Sequence, residues 1–186
     1  MILLSIVTVT LNAKDNFGVT AESIRTIKDD SVEWLVIDGA SSDGTLNLIH
    51  SHFDDIDVFV SEPDNGIYDA MNKARERVNG RFILFLNAGD KIINGVKLLS
   101  DLTAACEQQS DVIVGDCIFY DHRNKKLCKA DLNKIFEISW NMPIIHQSML
   151  FPAELLEKFN WYDTKYQVVS DYDLLIRMVQ NKVNFQ

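Results

Sequence analysis

The sequence predicts an α/β protein, a mostly parallel central sheet with helices on both faces. Three observations carry that prediction. Apolar, β-branched runs alternate with helical patterns through the first half of the 186 residues, in the order βαβαβαβ. The runs read as strands buried on both sides, as parallel sheets require. Several of them end on polar residues, where an open α/β sheet holds its ligands.

Leu3 to Thr10 reads as the first buried strand; it is rich in β-branched residues and lacks the basic start of a signal peptide. Ala21 to Lys28 is a short helix with Ile24 and Ile27 on one face. Glu33 to Asp38 is a second strand that closes on a carboxylate. Ser41-Ser-Asp-Gly44 is a turn, and a helix runs from Thr45 to about Phe53. Asp57 to Ser61 is the third strand. Ile67 to Val78 is a helix with Ile67, Ala70, Met71, Ala74 and Val78 on one stripe. Arg81 to Leu86 is the fourth strand, followed by Asn87-Ala-Gly-Asp90.

The second half is less regular. It predicts a helix from Val96 to Gln108 and a strand from Asp111 to Tyr120. A charged turn follows from Asp121 to Lys126, then a loop containing Met142-Pro143. A short strand spans His146 to Phe151, Pro152 opens a helix, and Ser170 caps a last helix through Val179. Asn184-Phe185-Gln186 reads as the start of another strand. Domains rarely stop there, so a truncated chain is expected.

Composition narrows the function classes. With 47% hydrophobic and 24% charged residues the chain fits one soluble domain with a real core. A net charge of −9 argues against a nucleic-acid partner and against general attraction to an anionic membrane. An acidic protein that handles an anionic substrate needs a local cation. Cys106, Cys117 and Cys128 are widely spaced and without CxxC or Cys/His metal spacing, so they read as buried thiols of a reducing compartment. No segment spans a bilayer, and a cytoplasmic location is expected.

Chemistry-bearing residues gather at strand ends. Thr10 to Asn12, Asp38 and Asp90 converge on one edge of the predicted sheet. Asp90 alone suits a turn; with the other two it suits a hard divalent cation that holds phosphate oxygens. Gly39 to Gly44 is either a small loop that approaches a nucleotide closely or a plain connection capped by Asp43. It is neither a P-loop nor a GxGxxG fingerprint. Asp64-Asn65-Gly66 is turn chemistry, and the helix after it offers N-terminal amides to an anion. A turn plus a capped helix explains Asp64 and Gly66, but not an exposed Tyr68. His146 is either structural or a further metal ligand. Asp171 and Asp173 lie in a helix's first turn, where they complement its dipole; either one is also placed to deprotonate a hydroxyl.

Four motifs then occur in order: Ser5-Ile-Val-Thr-Val-Thr-Leu-Asn12, Val36-Ile-Asp-Gly-Ala-Ser-Ser-Asp-Gly-Thr45, Leu86-Asn-Ala-Gly-Asp90 and Ser170-Asp-Tyr-Asp-Leu-Leu-Ile-Arg177. Together they resemble a family 2 glycosyltransferase of the GT-A fold, over nearly the whole chain. Glu62-Pro-Asp-Asn-Gly-Ile-Tyr-Asp-Ala-Met-Asn-Lys73 is similar to the bacterial branch that builds surface polysaccharides, colanic-acid-type enzymes included. The resemblance implies a single domain with a nucleotide-binding half, about residues 1–90, and an acceptor half, about 91–186. It implies a UDP- or GDP-sugar donor, a Mn2+ or Mg2+ ion, inversion at the anomeric carbon, and a glycan or lipid-linked acceptor. Lipid-linked acceptors fit peripheral association with the inner face of the membrane. By resemblance Thr10 and Asn12 line the nucleotide pocket and Asp38 contacts the base. Asp64, Asn65, Gly66, Tyr68 and Asn87 join the donor site. Asp90 stands at the last position of the DxD-type motif and binds the metal, with His146 as a candidate second ligand. Asp171 matches the general base, with Asp173 as the alternative.

Two departures stand out. Asn87-Ala-Gly replaces a more acidic Asp-Ser-Asp, leaving one carboxylate for the metal, and Ser170 replaces a Glu beside the base. A non-catalytic nucleotide-sugar-binding module is the competing reading. A nucleotidyltransferase would need a Gly-rich basic loop after strand one, and Leu11-Asn-Ala-Lys-Asp15 is poor in both.

Overall fold

The runs Leu4–Thr10 (β1) and Val32–Asp38 (β2) are buried at every position and pair in parallel, Leu4 against Val32 through Thr10 against Asp38. They form the centre of the sheet in a computed structural model that describes residues 1–108, 111–121, 124–133 and 144–186. Val58–Ser61 (β3) adds in parallel to β2, and Phe82–Phe85 (β4) adds in parallel to the other side of β1. Each of the first three strands is followed by a helix: Phe17–Arg25 (α1), Thr45–His50 (α2) and Ile67–Asn72 (α3). The predicted alternation is therefore present.

The second half departs from it. After the helix Gly95–Gln108 (α4), the strand predicted over 111–120 splits at Gly115-Asp116. Ile113–Val114 (β5) stays in the sheet, whereas Cys117–Asp121 (β6) leaves it and pairs antiparallel with Asn124–Cys128 (β7). Lys125 and Lys126, placed in a charged turn by the sequence, are thus strand residues; His122 and Arg123 of that turn lie outside the described residues. So does the Met142-Pro143 loop. His146–Ser148 form a 3-10 turn rather than strand, and Met149–Pro152 (β8) inserts antiparallel between β4 and β5. The sheet order is β3-β2-β1-β4-β8-β5. Ala153–Lys158 (α5) and Ser170–Gln180 (α6) are the last α-helices among the described residues. The expected final strand is a parallel bridge of Phe185 to Val112, flanked by Gln186 N–H donating to Val112 O at 3.0 Å.

Strand alternation divides the core in two. Val7, Val9, Leu35, Ile37, Ile83 and Phe85 face α3, α5 and α6, whose Met71, Leu156, Leu174 and Met178 are buried against them. Leu4, Ile6, Trp34, Val36, Phe82 and Leu84 face α1, α2 and α4 through Phe17, Ile24, Ile49 and Leu102. Helices therefore cover both faces, and the carboxyl ends of β1, β2 and β4 open on one edge. Ile67 departs from its predicted stripe: it is 42% exposed, while Ala70, Met71 and Ala74 are buried. The three cysteines are free thiols, partly rather than fully buried.

Candidate active site

The loop after β1 turns through Asn12, whose φ of +50° is tolerated by asparagine better than by most residues. It is laced to the loop after β2. Asn12 N–H donates to Ser41 Oγ at 2.8 Å, and Ser42 N–H donates back to Asn12 Oδ1 at 2.9 Å. Ala13 N–H meets Thr45 Oγ1 at 2.8 Å and Lys14 N–H meets Asp43 Oδ2 at 3.1 Å. Asp38 organises this assembly from within. It is fully buried, and its two oxygens accept from Ser41 N–H (3.0 Å), from the Ser41 hydroxyl and from the Ser61 hydroxyl (2.7 Å). The base contact expected of Asp38 is thus not what its geometry offers; its oxygens are taken up by the loops it holds.

Asp64 takes a half-buried position at the cleft instead. A side chain at Gly39 would overlap Asp64 Oδ2 and crowd Leu11 at 3.3 Å, so the glycine leaves room for this carboxylate. Asp64 Oδ1 accepts from Gly66 N–H at 2.9 Å, which sets the turn before α3. Asn65 is occupied with Asp69, its N–H donating to Asp69 Oδ2 at 2.8 Å.

These loops enclose a cleft of about 360 Å³, lined by residues that include Thr10, Asn12, Asn16, Asp64, Gly66, Ile67, Asn87 and Ala88. Of the predicted donor residues, Thr10, Asn12, Asp64, Gly66 and Asn87 therefore meet in one place. Asn16 and Ile67 were not foreseen: Asn16 lies outside the quoted motifs, and Ile67 read as part of the apolar stripe of its helix. Two wall atoms, Thr10 Oγ1 and Asn87 Oδ1, are buried with no hydrogen-bond partner. Buried polar atoms are nearly always paired, so such orphans mark a place built for something else.

Asp90 sits beside the wall. Its N–H donates to Asn87 O at 2.9 Å, and the Thr20 hydroxyl ties the turn together, donating to Asp90 O at 2.7 Å and accepting from Gly89 N–H at 2.9 Å. Burial raises the Asp90 carboxyl above its ordinary pKa, opposed only by the hydrogen bond at Asn87. The partly buried Asp90 carboxyl and the unpartnered amide oxygen of Asn87, which share one turn, are both hard oxygen ligands, and that chemistry fits Mn2+ or Mg2+. Among the described residues no group of three or more His, Cys, Asp and Glu is placed to hold a metal, so phosphate oxygens would complete any such site.

A second cluster lies on the far side of α3. Asp171, in the first turn of α6, accepts at Oδ1 from the Tyr68 hydroxyl (2.7 Å) and from Tyr172 N–H (2.9 Å). Tyr68 is 7% exposed, so the exposed donor-site tyrosine expected from sequence is instead a buried partner of Asp171. Burial and then the hydrogen bond to Asp171 raise its phenol pKa, which keeps it a donor. Its ring packs on Tyr162 at 5.2 Å, and the Tyr162 hydroxyl is hydrogen-bonded to His146 Nε2. His146 is buried, lies 5.5 Å from the Phe85 ring and is held neutral by desolvation, its pKa lowered to about 4. That geometry gives it a packing role and engages Nε2, one of the two ring nitrogens a metal could use. Asp173, the alternative base, is paired with Arg177 of its own helix at 2.8 Å. Ser170 does not cap α6 with its side chain; its hydroxyl donates to Asp163 O at 3.0 Å.

The family model for Glycosyl transferase family 2 matches residues 5–170. The chain belongs to glycosyl transferase family 2. A family relative, a PGL/p-HBAD biosynthesis glycosyltransferase of Mycobacterium bovis, is 27% identical over 183 residues, 96% of this chain and 70% of its own. The fold is that of GT-A glycosyltransferases. S. aureus TarS 1-349 in complex with UDP superposes with a TM-score of 0.75 at 19% identity, covering 94% of this chain. The mannosyltransferase PcManGT from Pyrobaculum calidifontis, in complex with GDP-Man and Mn2+, gives 0.74 at 19% identity and 98% coverage. This family 2 chain spans about half of either structure, 54% of TarS 1-349 and 53% of PcManGT.

Proposed function

We propose that this chain is the donor-binding and catalytic domain of an inverting glycosyltransferase, which moves a sugar from a UDP- or GDP-sugar to a hydroxyl of a glycan or lipid-linked acceptor in bacterial surface polysaccharide synthesis. The observation that carries the reading is the cleft at the ends of β1 and β4, whose lining residues Thr10 and Asn87 each hold a buried oxygen without a hydrogen-bond partner, Asn87 in the turn that ends on Asp90. Family relatives named for teichuronic acid or PGL/p-HBAD biosynthesis support the acceptor class. No helix among the described residues is long and apolar enough to cross a membrane.

In this reading Asp64, rather than Asp38, presents its carboxylate to the N–H or hydroxyl groups of the nucleoside. Thr10 and Asn87 supply polar contacts along the donor. Asp90, with Asn87 Oδ1, would hold a divalent cation, which when bound neutralises the diphosphate leaving group. Asp171 removes the proton from the acceptor hydroxyl as that oxygen attacks the anomeric carbon, and the bond to the diphosphate breaks on the opposite side. Among the described residues nothing donates to Asp171 Oδ2, so that oxygen is the one left to accept the proton.

Calorimetry with UDP- and GDP-sugars, with and without Mn2+, tests the reading on the full-length chain. Metal-dependent binding of one donor class is expected. Asp90→Ala loses the metal dependence, and Asp171→Asn binds the donor normally but transfers sugar only at a small residual rate. A chain that binds donor tightly and never turns over with any acceptor is a binding module instead.

A further inference from the structure

We infer that Tyr68 is a positioning residue for the base Asp171, and that α3 fixes the separation between the donor and that base. The inference rests on the reading of Asp171 as the base. The Tyr68 phenol has one proton to give and two acceptors in reach, Asp171 Oδ1 at 2.7 Å and Val168 O at 3.0 Å. The nearer and charged oxygen takes it. With Tyr172 N–H also on Oδ1, two donors face one carboxylate oxygen and fix the rotation of the group. Oδ2 receives no hydrogen bond from the described residues.

Tyr68 is itself held through Tyr162. Its ring lies against Tyr162, whose hydroxyl is tied to His146. Asn72, one turn along α3, clasps the Tyr162 backbone: Nδ2 donates to Tyr162 O at 2.8 Å and Oδ1 accepts from Tyr162 N–H at 3.1 Å. The other side of the same helix forms the cleft wall through Gly66, Ile67 and Ala70. One six-residue helix therefore meets the donor with one face and orients the base with the other. A displacement of about 1 Å between reacting groups costs a transferase a large part of its rate, so such a link has a function.

The test is a double-mutant cycle on the full-length chain, with Tyr68→Phe, Asp171→Asn and the pair, read as kcat, donor KM and donor affinity by calorimetry. Tyr68→Phe removes one oxygen and keeps the ring on Tyr162. It is expected to lower kcat by roughly 10- to 100-fold with donor KM within about twofold. In the Asp171→Asn background the same change is expected to cost nothing further in the residual rate. A raised donor KM with kcat intact overturns the proposal and returns Tyr68 to the donor site. An equal loss in both backgrounds overturns it too, because Tyr68 then acts independently of Asp171. Normal turnover by Asp171→Asn ends the reading of the base itself. An inactive Asp171→Asn beside a fully active Tyr68→Phe ends only the positioning role.

Discussion

Asp90 carries a charge in a place that does not favour one. Burial raises its carboxyl pKa, so the folded state prefers the protonated form, and that preference is lost as pH rises through the folded value. At neutral pH the ionised group is therefore a cost to the apo protein. Asp90→Asn is expected to raise the apo melting temperature by roughly 2 °C while abolishing any further rise on adding Mn2+ with donor. Differential scanning calorimetry checks both; an apo variant that melts lower, or one still stabilised by Mn2+, contradicts the metal role. The strand-end position of this residue was legible, because a carboxylate after a buried run of Phe82 to Leu86 has only the sheet edge to occupy. The partition of work between Asp38 and Asp64 was not. It depends on Ser41 and Ser61 reaching Asp38, and on the missing side chain at Gly39, contacts that local pattern does not encode. Tyr68 was misread for the same reason, since its partner stands 103 positions away.

At the scale of elements, the parallel half was legible because each strand and its covering helix are local units with distinct periods. The start of α1 at Phe17 and the end of α3 at Asn72 moved by several residues, as boundaries do. β8 was predicted roughly in place, but not its insertion between β4 and β5, which pairs Ile83 with Phe151 across the chain. The segment before α6 shows what holds this half together. Asn160 and Trp161 both have positive φ, at 55° and 54°, an unfavourable pair for residues other than glycine. Arg177 of α6 spans them, donating to Phe159 O and, at 2.9 Å, to Trp161 O while paired with Asp173. Hydrogen bonds from a charged donor contribute more than neutral ones, so Arg177→Met is expected to destabilise by about 3 kcal/mol. Urea unfolding should show a lower midpoint with an unchanged slope. A loss below about 0.5 kcal/mol would mean the segment holds its shape without the arginine.

For the whole molecule, acid is the perturbation that separates these contributions. His146 is buried and neutral, with a pKa lowered from 6.5 to about 4 by desolvation; the Asp171 charge opposes that fall, and Tyr162, Phe85 and Phe151 close the site. The unfolded chain takes up this proton near 6.5 and the folded chain only near 4, so the contribution is whole above pH 6.5 and is lost as pH falls towards 4. The difference corresponds to on the order of 3 kcal/mol. Asp29, Asp43, Glu157 and Asp163 act in a lower window, because their lowered values place their loss below the unfolded carboxylate range. Lying at the surface, with Asp163 partly buried, they contribute little. Asp90 works the other way, gaining stability as it protonates. The urea midpoint is therefore expected to fall between pH 6.5 and 4, before ordinary carboxylate titration begins. In His146→Gln, which retains a hydrogen-bonding side chain for Tyr162 but cannot protonate, the midpoint should be lower at pH 7 and nearly flat across that interval. An unchanged slope in the variant would mean that some other group carries the acid response. The same residue then links the fold to its chemistry: protonated His146 would place a positive charge beneath Tyr162 and near Asp171, so the cluster that orients the base is also the part of the molecule most sensitive to mild acid.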